Sequence, residues 1–355
     1  MQIRVRYMHI FDYSFLDNGM LPASLVSVTS SIASLKAASE FRKNDFIKVF
    51  TELESIARIQ SVKSSNEIEG IVTSDERIAQ IVKEDSAPQN HNEEEIAGYK
   101  NVLNLIHSNY KDLQFNEKTV LELHKMLLSA TSYEYGGKYK TDDNVILEID
   151  SAGNKKVRFA PVAAAETPQA MEQLFLSYMQ ASCNGNISPV LLIPCVILDF
   201  LCIHPFKDGN GRMSRLLSLL LLYKSGFDVG KYISVEEQIN KTKNLYYTAL
   251  RDSSVNWHQS KNDYFPFIKN FLTTLYICYQ ELDKRFAVVN SKKITKSARI
   301  EATVLNSVLP VSKAEIAKIL PDVSPTTIEA VLGRMVKSGA ITTVGRGIAT
   351  KYIRK

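Results

Sequence analysis

The chain has 355 residues, 45% of them hydrophobic and 23% charged. These are ordinary globular values. They exclude long disorder, collagen and a coiled-coil fibre as the main description, and the length fits two or three domains. The net charge is +5 but unevenly placed: residues 291–355 hold 12 Lys+Arg against 4 Asp+Glu, a local excess of +8 that leaves −3 for the remainder. Such a basic tail fits either an acidic partner such as nucleic acid or a solvated surface. No apolar run approaches the ~20 residues that span a bilayer. The opening stretch lacks the long apolar core and cleavage site of a secretory signal. Cys183, Cys195, Cys202 and Cys278 form no CxxC pair and no Cys/His cluster, so neither a disulfide framework nor structural zinc is expected. A cytoplasmic protein with no membrane association is the expectation.

Apolar residues spaced by three and four predict helices over 97–107 and 116–128, the second starting at Asn116 and Thr119. The stretch 136–161 breaks this pattern. Val145, Ile146 and Ile149 precede a Gly/Asn turn at residues 151–154, and Val157 and Phe159 follow, which predicts a β-hairpin. Residues 189–203, PVLLIPCVILDFLCI, carry one charge, Asp199. They read as a buried helix, and RLLSLLLLYKSG reads as a second one ending at Gly226. A polar, glycine-containing loop joins the two. After Phe286 a linker is expected over 286–297, then helices over 298–309, 313–320 and 325–338. Ser324 is a good N-cap, with Pro325 at the first helical position. Gly339 closes the third helix, and a terminal hairpin turns at Gly345–Arg346–Gly347. Three helices and a terminal hairpin predict a winged helix. Its third helix offers Thr326, Thr327, Arg334 and Lys337 to a nucleic acid, but also Glu329.

The joining loop, His204-Pro205-Phe206-Lys207-Asp208-Gly209-Asn210-Gly211-Arg212-Met213-Ser214-Arg215, has the parts of a phosphate site. Gly209 and Gly211 allow positive φ and close approach of a ligand, and their N–H groups open a helix, where anions bind. Arg212 and Arg215, three apart, share a face at that helix's first turn. Asp208 is an oxygen ligand suited to Mg²⁺ held jointly with phosphates. His204 can take a proton from a hydroxyl near neutral pH. Phe206 is expected to anchor the loop in the core.

This string resembles the Fic motif, HxFx(D/E)GNGRxxR, at every specified position, and the resemblance covers roughly residues 30–285. It implies a mainly α fold: a helical Fic core with a small β-hairpin flap, followed here by the winged-helix domain. The implied organisation is an N-terminal helical region over 1–115, a catalytic core over 116–285, the linker over 286–297 and the C-terminal domain over 298–355. It also implies transfer of AMP from ATP, with Mg²⁺, to a Ser, Thr or Tyr hydroxyl of a target protein. His204 would be the general base and Asp208 the metal ligand. The backbone around Gly209–Gly211, with Asn210, would stabilise the α-phosphate, with Arg212 on the β- and Arg215 on the γ-phosphate, and Met213 and Ser214 would also belong to the nucleotide-binding set. Small Gly211, where phosphotransferase relatives carry lysine, favours adenylyl transfer.

A second stretch, Ser65-Asn66-Glu67-Ile68-Glu69-Gly70, fits [ST]xxxE[GN]. Alone it also reads as a capping box or helix end. Beside the Fic motif it is similar to the family's N-terminal inhibitory helix, with Ser65, Glu69 and Gly70 as its marks and Glu69 paired to Arg215. In some relatives the equivalent glutamate also aligns water for AMP removal. The flap over 137–161 resembles the family's strand-adding surface for a target segment, with Lys140 where arginine is common. Tyr246-Tyr247 resembles a helix bordering adenine, with Tyr247 as the nucleotide contact and core packing as the other reading. The partners implied are the target protein, DNA or a protein at the C-terminal domain, and a second copy of the chain. A nucleotide-sensing DNA-binding regulator is the rival function.

Overall fold

The computed structural model describes residues 9–149, 155–290, 295–305, 307, 310–345, 347 and 350–354. The turn expected at 151–154 and Arg346 of the terminal hairpin lie outside the described residues. Two compact units emerge. One joins the chain up to Ser34 with Ile56–Cys278, and the other joins Leu35–Ser55 with the chain from Tyr279 onward.

The chain opens with α1 (Phe15–Asn18), α2 (Ala23–Asp45) and α3 (Ile47–Ile68), the last two contributing to both units. Side-chain caps start the next three helices. Ser74 accepts from Arg77 N–H at α4 (Asp75–Lys83), Asn90 from Glu93 N–H at α5 (His91–Asn109), and Asn116 from Thr119 N–H at α6 (Glu117–Leu127). Each satisfies one orphan donor of the first turn. The hairpin follows: β1 (Ile146–Ile149) pairs antiparallel with β2 (Lys155–Phe159), with a register irregularity between Ile146 and Leu147. Then come α7 (Thr167–Cys183), α8 (Pro189–Ile203), α9 (Asn210–Lys224), α10 (Val235–Lys241), α11 (Lys243–Ser254) and α12 (Phe265–Asn290).

The core of the first unit forms around α8 and α9. Every residue of α8 from Val190 to Phe200 is buried, and the run Leu216–Tyr223 of α9 is buried too. Gly226 at φ +79° ends the α9 segment as expected. The lone charge of α8, Asp199, is fully buried. It accepts from Tyr13 Oη at 2.7 Å, Trp257 Nε1 at 2.7 Å and Tyr264 Oη at 3.0 Å. His9 stacks on Trp257 at 4.0 Å between centroids, so the N-terminal segment is fastened to the end of α8. Burial nevertheless pushes the Asp199 carboxyl up to about 7.

In the second unit, α13 (Lys296–Leu305), α14 (Lys313–Ile319) and α15 (Pro325–Lys337) pack with a three-stranded antiparallel sheet. The strands are β3 (Val311–Ser312), β4 (Ile341–Val344) and β5 (Lys351–Arg354), in the order β3-β5-β4. Ser324 caps α15, and Gly339 at φ +75° follows it. Two expectations shift here. The linker placed at 286–297 begins inside a helix, because α12 continues to Asn290. The domain boundaries at 115 and 285 also differ from the compact units. Phe286 packs at 4.7 Å on Phe50, and Arg42 pairs with Asp283 at 2.5 Å, so Leu35–Ser55 belongs with the C-terminal part. Helical periodicity marks helices but not which partner a long helix packs against. Among the described residues no helix is long and apolar enough to cross a membrane.

Candidate active site

The loop between α8 and α9 is held by two aromatic rings and one amide. Phe206 is fully buried and stacks on His124 of α6 at 3.6 Å. Gly137 N–H donates to His124 Nδ1 at 3.0 Å, so the ring proton sits on Nε2, which donates to the Asp208 carbonyl at 3.1 Å. Burial lowers the His124 pKa to about 4, which keeps this tautomer neutral. Asn210 closes the bend. Its Oδ1 accepts from Phe206 N–H at 2.9 Å, and its Nδ2 donates to the Phe206 carbonyl at 2.8 Å. The amide therefore shapes the loop.

His204 terminates α8 in the left-handed region at φ +53°, an uncommon conformation for a non-glycine residue and typical of functional positions. Its Nδ1–H donates to the Leu201 carbonyl at 3.3 Å. That leaves the Nε2 lone pair as a base. Burial, with a smaller contribution from Lys140, lowers its pKa to about 4, so the ring is neutral at physiological pH. Lys140 is itself buried and supports the same turn, donating to the Ile203 carbonyl at 3.2 Å.

Gly209 (φ +79°) begins α9, and a Cβ there would meet Leu127 Cδ2 at 3.1 Å. Arg212 and Arg215 leave the first turn of α9 on one face, 1% and 4% exposed. Arg212 NH2 meets Glu95 Oε2 at 2.5 Å and Asp208 Oδ2 at 3.2 Å. Its Nε and NH1 are buried and reach no acceptor, which leaves two donor directions for an anionic ligand. Asp208 is half-exposed, and its Oδ1 makes no hydrogen bond within the described residues.

The segment Ser65–Gly70 forms the end of α3, and Gly70 at φ +81° stops the helix just after Glu69. Arg215 Nε donates to Ser65 Oγ at 2.8 Å, and its NH2 donates to Ser65 O at 2.9 Å and Glu69 Oε1 at 2.8 Å. Burial opposes the Glu69 charge, yet Arg215, Arg212 and Lys243 outweigh it and hold the carboxyl below its usual range. Lys243 Nζ also donates to the Ile68 carbonyl at 2.6 Å, fixing the helix end. Gly211 lies directly against this pair. A Cβ there would fall closer to Glu69 Oε1 than any real Cβ contact.

These groups line one cavity of about 650 Å³. Glu69, His204, Asp208, Gly209, Asn210, Gly211, Arg212 and Arg215 all face it, as do Tyr246 and Tyr247 of α11 and both hairpin strands. Ser65 and Gly70 stand behind Glu69 outside the lining, and two nucleotide candidates also do not face it. Met213 is fully buried in the core, and its N–H is bonded to the Gly209 carbonyl at 2.8 Å. Ser214 is buried and donates back to the Gly211 carbonyl at 2.7 Å. Helical geometry turns both away from the face shared by Arg212 and Arg215, so neither side chain lines the cavity. Glu95, His124 and Lys140 complete the site and were not among the sequence candidates. Glu95 stands in an acidic first turn, where a carboxylate usually complements the helix dipole, and His124 carries no local pattern.

The Fic/DOC family pattern matches residues 114–222. A Fido domain-containing protein of Dictyostelium discoideum is 30% identical over 137 residues, 38% of this chain and 94% of that protein. The chain belongs to this family. The protein adenylyltransferase Fic of Drosophila willistoni is 27% identical over 115 residues, and fic-1 of Caenorhabditis elegans is 28% identical over 110. The matched part of the chain spans only about a fifth of those two proteins, 21% and 19%. Among solved structures, a Fic family protein of Desulfovibrio desulfuricans superposes with TM-score 0.62 at 19% identity, over 95% of this chain and 97% of that one. Fic-1 of C. elegans gives TM-score 0.58 at 18% identity, over 74% and 73%. Both share the fold.

Proposed function

We propose that the chain is an autoinhibited protein adenylyltransferase, moving AMP from ATP to a Ser, Thr or Tyr hydroxyl of a target protein or of itself. The observation that carries this reading is a neutral imidazole with a free Nε2 beside two buried arginines in one cavity. His204 takes the hydroxyl proton as the oxygen attacks the α-phosphorus. The bond to the β-phosphate bridging oxygen breaks, and pyrophosphate leaves. Arg212 and Arg215 hold the distal phosphates, so catalysis is chiefly positioning and charge neutralisation. The donor set fits Mg²⁺. Asp208 keeps one oxygen open, and no cluster of three metal-ligating side chains forms among the described residues, as suits an ion held by one carboxylate and phosphates. Bound there, the ion would offset phosphate charge. The flap leaves Val145, Leu147 and Val157 about half exposed, which supports docking of an extended target segment along it.

Glu69 is the brake in this reading, because it occupies the cation that the γ-phosphate needs. A partly buried charged hydrogen bond is worth roughly 1.5–3 kcal/mol, enough for about tenfold to a hundredfold suppression. The test is labelling with radioactive ATP in lysate. E69G should label strongly, and H204A in that background should not. If E69G binds no ATP and labels nothing, the reading fails.

The order α13-β3-α14-α15-β4-β5 in the second unit favours a second reading, a DNA-binding regulator built on a winged helix. Its charges are partly engaged already. Lys313 pairs with Glu329 at 2.5 Å, and Arg334 donates to Ser297 at 3.0 Å. A salt-dependent DNA shift lost on changing Arg334 and Lys337 to Glu would support this reading. An unchanged shift would refute it.

A further inference from the structure

Among the described residues four arginines line the cavity. Three have carboxylate partners. Arg212 lies against Glu95 and Asp208, Arg215 against Glu69, and Arg251 between Glu148 at 3.6 Å and Asp252 at 3.5 Å. Arg158, carried by β2, is different. It is half-buried, its Nε is withdrawn from solvent with no acceptor, and no described carboxylate reaches its guanidinium. A buried donor left without an acceptor is unfavourable in the protein alone. An anion arriving in the cavity would supply that acceptor and a counter-charge.

The position of Arg158 says which anion. Its charge is felt at His204, at the end of α8, and at Tyr246 and Tyr247 on α11. Arg158 lines the cavity together with His204 and with Tyr246 and Tyr247. Arg212 and Arg215, carried by α9, line the same cavity.

We propose that Arg158 is a further anion-binding residue of this site, contacting the phosphate next to the nucleoside. The inference rests on the adenylyltransferase reading. There the hydroxyl deprotonated by His204 attacks that phosphate, so a cation near His204 faces a non-bridging oxygen of the α-phosphoryl group. Arg158 would bind that oxygen in the ground state and offset charge that gathers there during transfer. The hairpin then holds the nucleotide as well as the target.

The experiment compares adenosine, AMP and ATP by calorimetry in E69G, E69G/R158Q and E69G/R215Q. R158Q should weaken AMP and ATP by a similar factor, about tenfold for one charged hydrogen bond, and leave adenosine unchanged. R215Q should weaken ATP alone. R158K, which keeps the charge and loses the fork, should fall between. Unchanged AMP and ATP affinity overturns the proposal. If target labelling then drops, Arg158 serves an acidic side chain of the target instead. Equal weakening of adenosine also overturns it, because Arg158 would then act through the shape of the cavity. If E69G itself binds none of the three ligands, the adenylyltransferase reading falls first.

Discussion

The bend between α8 and α9 and the α13–α15 unit treat charge in opposite ways. The C-terminal unit has a hydrocarbon core, with Ile300, Val304, Ile316, Ile328 and Leu332 all at 0% exposure. Arg299, its one buried cation among the described residues, reaches to the surface carboxylate of Asp322, at 2.6 and 2.8 Å. The bend buries Arg212 and Arg215 and leaves two nitrogens of Arg212 without acceptors. Removing ions from water costs several kcal/mol each. In the C-terminal unit a two-pronged pair to one carboxylate offsets that cost and leaves only Nε of Arg299 without an acceptor, whereas in the bend both Nε and NH1 of Arg212 are left. An incomplete buried set is a place shaped for something that is not yet there. That difference separates chemistry from structure more sharply than exposure alone.

The largest break in this comparison comes from His204. In an E69G background, H204A should lower AMP transfer about 10²–10⁴-fold, the usual range for a general base, while nucleotide affinity stays unchanged. The pH profile sharpens the point. An ordinary histidine protonates near 6.5, whereas burial brings His204 to about 4. Transfer measured from pH 5 to 8 should therefore show no acid limb near 6.5. The rate should fall only as pH drops toward 4, where the ring gains a proton and ceases to be a base. A midpoint near 6.5 would mean that His204 is solvated in the working enzyme.

Glu69 comes next. E69G should raise labelling about tenfold to a hundredfold, read as incorporated AMP per minute. An unchanged rate would reduce the Glu69–Arg215 contact to a structural ion pair.

How much of this was legible beforehand depends on the range of each interaction. Much of the loop is legible locally, because glycines, arginines and histidine within twelve positions report one local geometry. The three helices of the C-terminal unit were placed within a few residues at each end, since Ser324, Pro325 and Gly339 are local signals. Met213 and Ser214 were misread because a motif is a string, whereas a helix turns successive residues to different faces. Glu95, His124 and Arg158 were invisible. Each reaches the loop or cavity from a segment distant in sequence, and nothing near it in sequence marks a long-range contact. The packing of Leu35–Ser55 with the C-terminal unit was missed for the same reason.

Gly211 tests the fit between brake and loop. A Cβ at this position collides with the Glu69 carboxylate. G211A should destabilise the protein by about 1–3 kcal/mol, the usual cost of overpacking, measured by urea melts. In E69G the obstacle is gone, so the same substitution should cost much less. Equal losses in both backgrounds would show that the glycine serves only the nucleotide and not the closed pair.

The smallest effect belongs to the C-terminal unit. Asp322 is about half exposed, and its pKa is lowered mainly by the hydrogen bonds from Arg299. A depressed carboxylate pKa contributes stability that is present above the unfolded value and is lost as pH falls through the folded one. D322N at pH 7 should therefore cost no more than about 1 kcal/mol, because a surface pair is screened. The difference from wild type should shrink in 1 M salt, and it should vanish in acid once Asp322 is protonated in both states. A loss well above that, insensitive to salt, would show that Arg299 behaves like the arginines of the bend, and the contrast between the two regions would fail.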